Sequence, residues 1–190
     1  MRLLATLPPL LLLLVVPACS VEESTSAPPR APSTSVAAKQ PTDKTYRSEE
    51  GNYSVCFPKD PSIANKELAT SAGVMKVQTA KVEGGRDLML SVSHMTYPAS
   101  FGEVDAGKIL DGVRDGLKGQ DGELKSDKPG VEGEDKFPAR DLLIHAGKNG
   151  IRARLVLVDR RLIQVLASGS KEAVEGKTAE EFFKSFEAAK

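Results

Sequence analysis

Cysteine and histidine, which supply many catalytic nucleophiles, general bases and zinc ligands, are rare in this 190-residue chain. There are two cysteines and two histidines: Cys19, Cys56, His94 and His145. A zinc site takes three or four nitrogen or sulfur donors. Neither histidine has a second histidine, a cysteine or a glutamate at ligand spacing. The sequence therefore predicts no metal site.

The surroundings of Cys56 and His94 favour structural roles. Cys56 lies between two apolar residues in a predicted strand. A catalytic thiol needs a neighbouring base or a helix N-terminus to lower its pKa, so we interpret Cys56 as a small buried hydrophobe. His94 follows Leu90 and Val92 at two-residue spacing, which predicts a strand position and a hydrogen-bonded rim or core histidine.

Short catalytic motifs are also missing from the sequence. The string GKT at 176–178 matches the end of a phosphate-binding loop, but that loop needs a glycine where this chain has Lys171. No nucleophile elbow and no calcium loop occurs. We therefore predict a protein that is not an enzyme and has no cofactor. The remaining enzymatic hypothesis is a hydrolase in which Cys56, His94 and His145 converge in one cleft.

Residues 1–18 have the organisation of a secretory signal peptide. Arg2 supplies a basic start, an apolar stretch follows over residues 3–16, and Ala18 is a small residue before Cys19. The apolar stretch is short for a membrane span, which takes about 20 residues. We predict a cleaved signal rather than a retained transmembrane anchor.

The string VPAC at 16–19 resembles a bacterial lipobox. The resemblance implies that Cys19 becomes the acylated N-terminus, and more than one acyl chain gives stable anchoring. Pro17 departs from the small or β-branched residue that is usual there. Val21 stands where an aspartate would be the inner-membrane retention signal. The resemblance thus implies a lipoprotein of the cell envelope, at the outer membrane or cell surface. The alternative is an ordinary signal peptide cut near Ala18, with Cys19 free.

The segment after Cys19 is predicted to be a disordered tether. Residues 20–44 are rich in Ser, Thr, Ala and Pro and contain no aromatic residue. Such a composition buries too little apolar surface to offset the entropy of ordering. The predicted organisation is therefore a signal peptide over 1–18, a lipidated cysteine with a tether over 19–44, and a single domain over 45–190.

The charge balance excludes one class of partner. Lys and Arg together number 26, as do Asp and Glu. A nucleic-acid-binding protein carries a basic patch or a basic excess. We predict no nucleic-acid partner.

The domain alternates between strand patterns and two helix patterns. Two-residue alternation and turn residues predict strands over residues 53–57, 67–70, 74–82, 87–95, 139–146, 151–158 and 161–168. Capping boxes at 100–103 and 178–181 each precede a helical apolar stripe. The first stripe is Ala106, Ile109, Leu110, Val113 and Leu117, and the second contains Phe182, Phe183 and Phe186. This order predicts an α+β fold with a mostly antiparallel sheet and helices packed on it.

Four strings carry a resemblance to a known fold. They are LDGVRDGLKG, FPARDLLI, IRARLVLVDRRLIQVLASGSKEA and EEFFKSF. In this order they resemble the PsbP-like domain that DcrB-type lipoproteins share with the lumenal PsbP proteins of photosystem II. The resemblance covers about residues 45–190 and implies an antiparallel sheet sandwiched by helices. It implies accessory and binding roles, and it carries over no catalytic residue.

Anchor, tether and domain together favour a non-catalytic accessory or adaptor module. It would face the periplasm or exterior, be held to the membrane by lipid, and bind an envelope protein. The alternative is a carrier of an apolar small ligand, since a sheet and a helix can enclose a pocket. A purely structural role is a further alternative.

Overall fold

The computed structural model describes residues 44–70, 73–85, 87–102 and 105–190. The predicted signal peptide, the lipidated Cys19 and the tether before residue 44 lie outside these ranges. The strands are β1 Lys44–Ser48, β2 Tyr53–Phe57, β3 Ser62–Thr70, β4 Gly73–Glu83, β5 Leu88–Thr96, β6 Glu123–Glu132, β7 Phe137–Ala146, β8 Asn149–Val158, β9 Arg161–Ser170 and β10 Glu187–Ala188. The α-helices are α1 Ala106–Lys118, α2 Lys171–Val174 and α3 Lys177–Lys184.

Two antiparallel sheets form the framework. The larger has seven strands in the order β3-β4-β5-β9-β8-β7-β6, and the smaller has the order β1-β2-β10. Every strand pair among the described residues is antiparallel. The predicted α+β class with a mostly antiparallel sheet is therefore confirmed.

The larger core lies between the two sheets. In β5 the alternate residues Leu90 and Val92 are fully buried on one face, as the two-residue alternation predicts. Val55 of β2 faces them from the smaller sheet, and α3 adds the buried Phe182 and Phe183 to the same cluster. The predicted apolar face of α3 is thus confirmed for these two residues, whereas Phe186, predicted on the same helix, is buried in this cluster beyond the helix end.

The other face of the large sheet is covered by α1. Leu110 is its buried residue, and it packs in one cluster with Leu142 of β7 and Leu155 of β8. The predicted apolar stripe of this helix faces the sheet, and the helix ends at Gly119, as predicted. A charged cluster flanks this contact: Arg140 of β7 and Arg114 of α1 both pair with Asp111.

The starts of the helices differ from the predictions. The N-cap of α1 is Asp105, whose carboxylate accepts a hydrogen bond from the Lys108 backbone N–H at 3.1 Å. The predicted capping box began five residues earlier, at Ser100, which instead lies in a 3₁₀ turn. Helix α3 begins after Gly176, so Thr178 lies inside it rather than capping it. Sequence reasoning also missed α2, which Ser170 caps.

Candidate functional site

Strand β3, at one edge of the large sheet, is exposed along nearly its whole length. It runs for nine residues as an edge strand and pairs only with β4. All of its residues except the half-buried Leu68 are exposed, on both faces of the sheet. The β3–β4 ribbon therefore presents a free line of backbone N–H and C=O groups, which an edge strand offers for pairing.

The opposite edge of the same sheet is protected in ways that β3 is not. Strand β6 contains Pro129, which has no N–H to donate, and a register shift between Leu124 and Ser126. It also carries several charged side chains. Proline, bulges and charges are the usual means of blocking an edge. Strand β3 carries the charged residues Lys66 and Glu67, but it has no proline and pairs with β4 without a register shift.

A polar cleft lies beside the ribbon. It measures about 280 Å³ and is lined by Glu50, Asn65, Lys66, Glu67, Lys76, Val77, Gln78 and His94. Because His94 pairs with Gln78 and Gln78 with Asn65, these three residues form one row across β5, β4 and β3. The Gln78 amide donates to Asn65 Oδ1 at 3.1 Å and accepts from the Tyr46 hydroxyl at 3.4 Å. The row runs from the buried His94 on β5 to the exposed Asn65 on the edge strand β3.

His94 is the buried end of this row. The residue is 6% exposed, and its ring lies 5.7 Å from that of Tyr53, centroid to centroid. Its Nδ1 is buried without a hydrogen-bond partner among the described residues. Burial lowers the pKa of His94, the nearby Glu50 opposes this shift, and Arg161 adds to it. The predicted strand position and burial are confirmed, whereas Nδ1 does not form the predicted hydrogen bond with any described residue.

This environment predicts a pH dependence of stability. The unfolded chain holds a histidine with a pKa of about 6.5, and the folded pKa of His94 is lower. Below about pH 6.5 the unfolded state therefore binds more protons than the folded state, and the free energy of unfolding decreases as the pH falls. We expect His94→Gln to reduce this loss. Denaturant unfolding at about pH 7.5 and about pH 5.5 measures it, and an equal loss in both proteins would refute the assignment.

A second cleft lies on the other half of the sheet. It measures about 340 Å³ and is lined by Ser126, Lys128, Asp141, Leu142, Leu143, Arg152, Ala153 and Glu175. Arg152 lies over the ring of Phe183, 4.7 Å from its centroid, a cation–π contact. Charged and polar side chains contribute to both clefts, and neither is an enclosed apolar cavity.

The three side chains of the hydrolase hypothesis do not converge. His145 of β7 is in register with Leu88 of β5 through Gly150 and Gly169, three strand spacings or about 14 Å away. His94 lies six residues further along β5, a further distance of about 20 Å. The Nε2 of His145 is instead 3.1 Å from Glu175 Oε1.

Cys56 lies apart from both histidines, in the smaller sheet. Its Sγ is 3.5 Å from the hydroxyl of Thr45, and its backbone N–H donates to Ser185 Oγ at 2.9 Å. It is half-buried, since its neighbours in β2 occupy the inward face. Cys56 was predicted to be a small buried hydrophobe, and that prediction is wrong in degree because the residue is only half-buried.

Residues 44–70, 73–85, 87–102 and 105–190 contain neither a metal-binding cluster nor a helix that could span a membrane. Within them, no group of three or more His, Cys, Asp or Glu side chains is placed to hold a metal ion. Among the helices of those same ranges, none has both the length and the apolar character needed to cross a bilayer.

Comparison with solved structures identifies the fold. This is an α+β domain built on antiparallel sheets, and its fold is PsbP-like. The solution structure of cyanobacterial PsbP (CyanoP) from Synechocystis sp. PCC 6803 matches with a TM-score of 0.50 and 16% identity, covering 83% of this chain and 98% of that chain. The crystal structure of PA94, a protein of unknown function from Pseudomonas aeruginosa, has a TM-score of 0.35 and 12% identity, covering 70% and 86%. No family model and no curated protein matches the chain.

Proposed function

We propose that this protein is a membrane-anchored extracytoplasmic lipoprotein whose domain is a non-catalytic adaptor. It binds a protein of the cell envelope. The observation that carries the proposal is the open edge of β3, which is exposed on both faces while the other edge of the sheet is blocked. An edge of this kind is a site for pairing with another chain.

The location rests on the N-terminal sequence. The VPAC string at 16–19 supports acylation of Cys19, and the composition of residues 20–44 supports a tether. A tethered domain remains near the membrane but reaches partners within the length of its tether. The accessory roles implied by the PsbP-like fold agree with such a module.

The alternative of an apolar-ligand carrier has less support. A site for an apolar molecule is concave and lined mostly by hydrophobic side chains. Glu50, Glu67 and Lys76 line the first cleft, and Lys128 and Arg152 line the second.

Replacement of Cys19 tests the anchor. Because serine has no thiol to acylate, Cys19→Ser is expected to release the protein from the membrane fraction or to leave an uncleaved precursor. Metabolic fatty-acid labelling should mark the wild-type protein and not the variant. Wild-type protein that is unlabelled and wholly in the soluble fraction would show that Cys19 only follows an ordinary signal peptide.

Cross-linking in intact cells tests the adaptor role. We expect the wild-type protein to recover one specific envelope protein, and the Cys19→Ser protein that is released from the membrane to recover less of it. The reason is that anchoring raises the effective concentration of the domain at the membrane. Recovery of only abundant bulk proteins in both samples would argue against an adaptor.

A further inference from the structure

We propose that β3 binds an extended segment of a partner protein, which adds to the seven-stranded sheet as an antiparallel eighth strand. This inference rests on the proposed adaptor function and specifies how the partner binds and which residues it presents. Strand addition is a recurring mode of peptide recognition in which backbone hydrogen bonds supply affinity and alternate side chains supply specificity.

The free edge has the length and regularity that such binding needs. Strand β3 has nine residues, which at about 3.3 Å per residue is roughly 30 Å of edge. Its pairing with β4 is continuous from Ser62 to Thr70. Alternate residues of an antiparallel strand direct their N–H and C=O groups to opposite sides, so every second residue of β3 offers both groups to an added strand.

A second copy of this chain is a poor occupant of the edge. Two-fold symmetry makes such an interface self-complementary. Pairing of β3 with itself over its full length would place Lys66 opposite the same lysine of the other copy. Like charges directly opposite each other destabilise a strand pair. The charge pattern therefore favours a different chain.

The side chains of β3 define the chemistry of that chain. Asn65 lies opposite Gln78 of β4, and Glu67 lies opposite Lys76, so both side chains project on the cleft side of the ribbon. Lys66 projects on the other side. Cross-strand pairs of opposite charge are favourable. The partner should therefore present a basic residue to Glu67 and, next along its chain, an acidic residue to Lys66.

The neighbours of this charged pair complete a five-residue pattern. Ala64 and Leu68 flank Lys66 on its face of the sheet, and they suit apolar residues of the partner. Asn65 ends the row of hydrogen-bonding side chains and suits a hydroxyl or amide. An antiparallel partner meets residues 68, 67, 66, 65 and 64 in that order. Its own sequence is therefore apolar, basic, acidic, polar and apolar.

Binding is tested with full-length protein in detergent micelles and a fluorescent peptide centred on valine–lysine–glutamate–threonine–valine. The control peptide exchanges the lysine and the glutamate. We expect the first peptide to slow backbone hydrogen exchange in residues 62–70 and to bind roughly tenfold more tightly than the control, since two cross-strand charge pairs are reversed. Unchanged exchange of β3 with either peptide up to about 1 mM would overturn the proposal.

Reversing the two charges in the protein should restore binding of the control peptide. The double variant Lys66→Glu, Glu67→Lys should prefer the control peptide by a similar factor. If the double variant keeps the wild-type preference, the predicted register is wrong and this inference fails. Concentration-dependent dimers in sedimentation, formed through β3 without peptide, would instead identify a second copy as the occupant and would also overturn it.

A matched pair of proline variants separates edge binding from loss of the fold. Ala64 and Ala69 are both exposed, and their positions differ by five, an odd number, so their N–H groups face opposite sides of β3. Proline is tolerated on an edge strand where its N–H faced solvent. One of Ala64→Pro and Ala69→Pro should therefore keep the wild-type melting temperature and lose peptide binding. If one proline variant is destabilised and the other is stable but binds the peptide normally, strand addition is refuted.

Cross-linking tests the adaptor function, and hydrogen exchange with the peptides tests strand addition, so the two can be refuted separately. Recovery of an envelope protein by cross-linking, with no protection of β3 by either peptide, would leave the adaptor function standing and refute strand addition. Protection of β3 by the peptide, with no envelope protein recovered from cells, would support the edge as a binding site and refute the adaptor role.

Discussion

Replacement of Gly169 by alanine is expected to destabilise the domain by about 3 kcal/mol or more, since an added methyl group has no space there. Gly169 lies in β9 opposite Leu88 of β5. A Cβ at this position would be 1.7 Å from the backbone oxygen of Asp87. That oxygen also accepts a hydrogen bond from the Ser170 N–H at 3.0 Å. The clash is with backbone, so it cannot be relieved by a side-chain rotation.

Gly116→Ala is the matched control. Gly116 lies in the exposed part of α1, where a Cβ would meet nothing within 4 Å. Alanine is favoured over glycine in a helix by about 1 kcal/mol, so this variant should be more stable than wild type. Denaturant unfolding compares the two. A loss below about 1 kcal/mol for Gly169→Ala would contradict the close approach of β9 to Asp87.

Truncation of Phe182 is expected to have the second large effect. Phe182 is 2% exposed, and its ring lies 5.1 Å from that of Phe57 and 5.8 Å from that of Phe183, between centroids. Phe182→Ala should therefore lower the free energy of unfolding by about 3–5 kcal/mol, through lost burial and a residual cavity. A loss of this size would show that the packing of α3 against the smaller sheet contributes strongly to the stability of the domain.

The control for this change is Phe101→Ala. Phe101 is 46% exposed and packs on Tyr97, with 5.1 Å between the ring centroids. Its truncation should cost about 1 kcal/mol or less, the usual value of an aromatic pair. Thermal and denaturant unfolding measure both variants. Equal losses for the two phenylalanines would contradict the position of Phe182 in the main core.

The sequence predicted those elements whose two faces differ. Strand β5 buries Leu90 and Val92 on one face, and that contrast produces the alternation from which the strand was predicted. Strand β3 has both faces exposed, so no alternation exists over residues 62–66, and the predicted strand began only at Glu67. The edge proposed to bind a partner was thus predicted only in part.

The candidate site depends on contacts that are distant in sequence. The row of His94, Gln78 and Asn65 exists because β5, β4 and β3 pair in one register, and a register between strands is not visible in local spacing. The need for glycine at Gly169 likewise arises from Asp87, in a different part of the chain. The helix starts were mispredicted because Ser100 and Thr178 match local capping motifs, while the chain path places the caps at Asp105 and Gly176.

Site-specific photo-cross-linking in intact cells tests whether the domain binds an envelope protein through β3. A photoreactive amino acid is placed at Ile63 on the open edge strand and, as a control of similar exposure, at Val131 on β6. Binding through β3 predicts a discrete adduct with one envelope protein from Ile63 and none from Val131. No adduct from Ile63, or equal adducts from both edges, would contradict it.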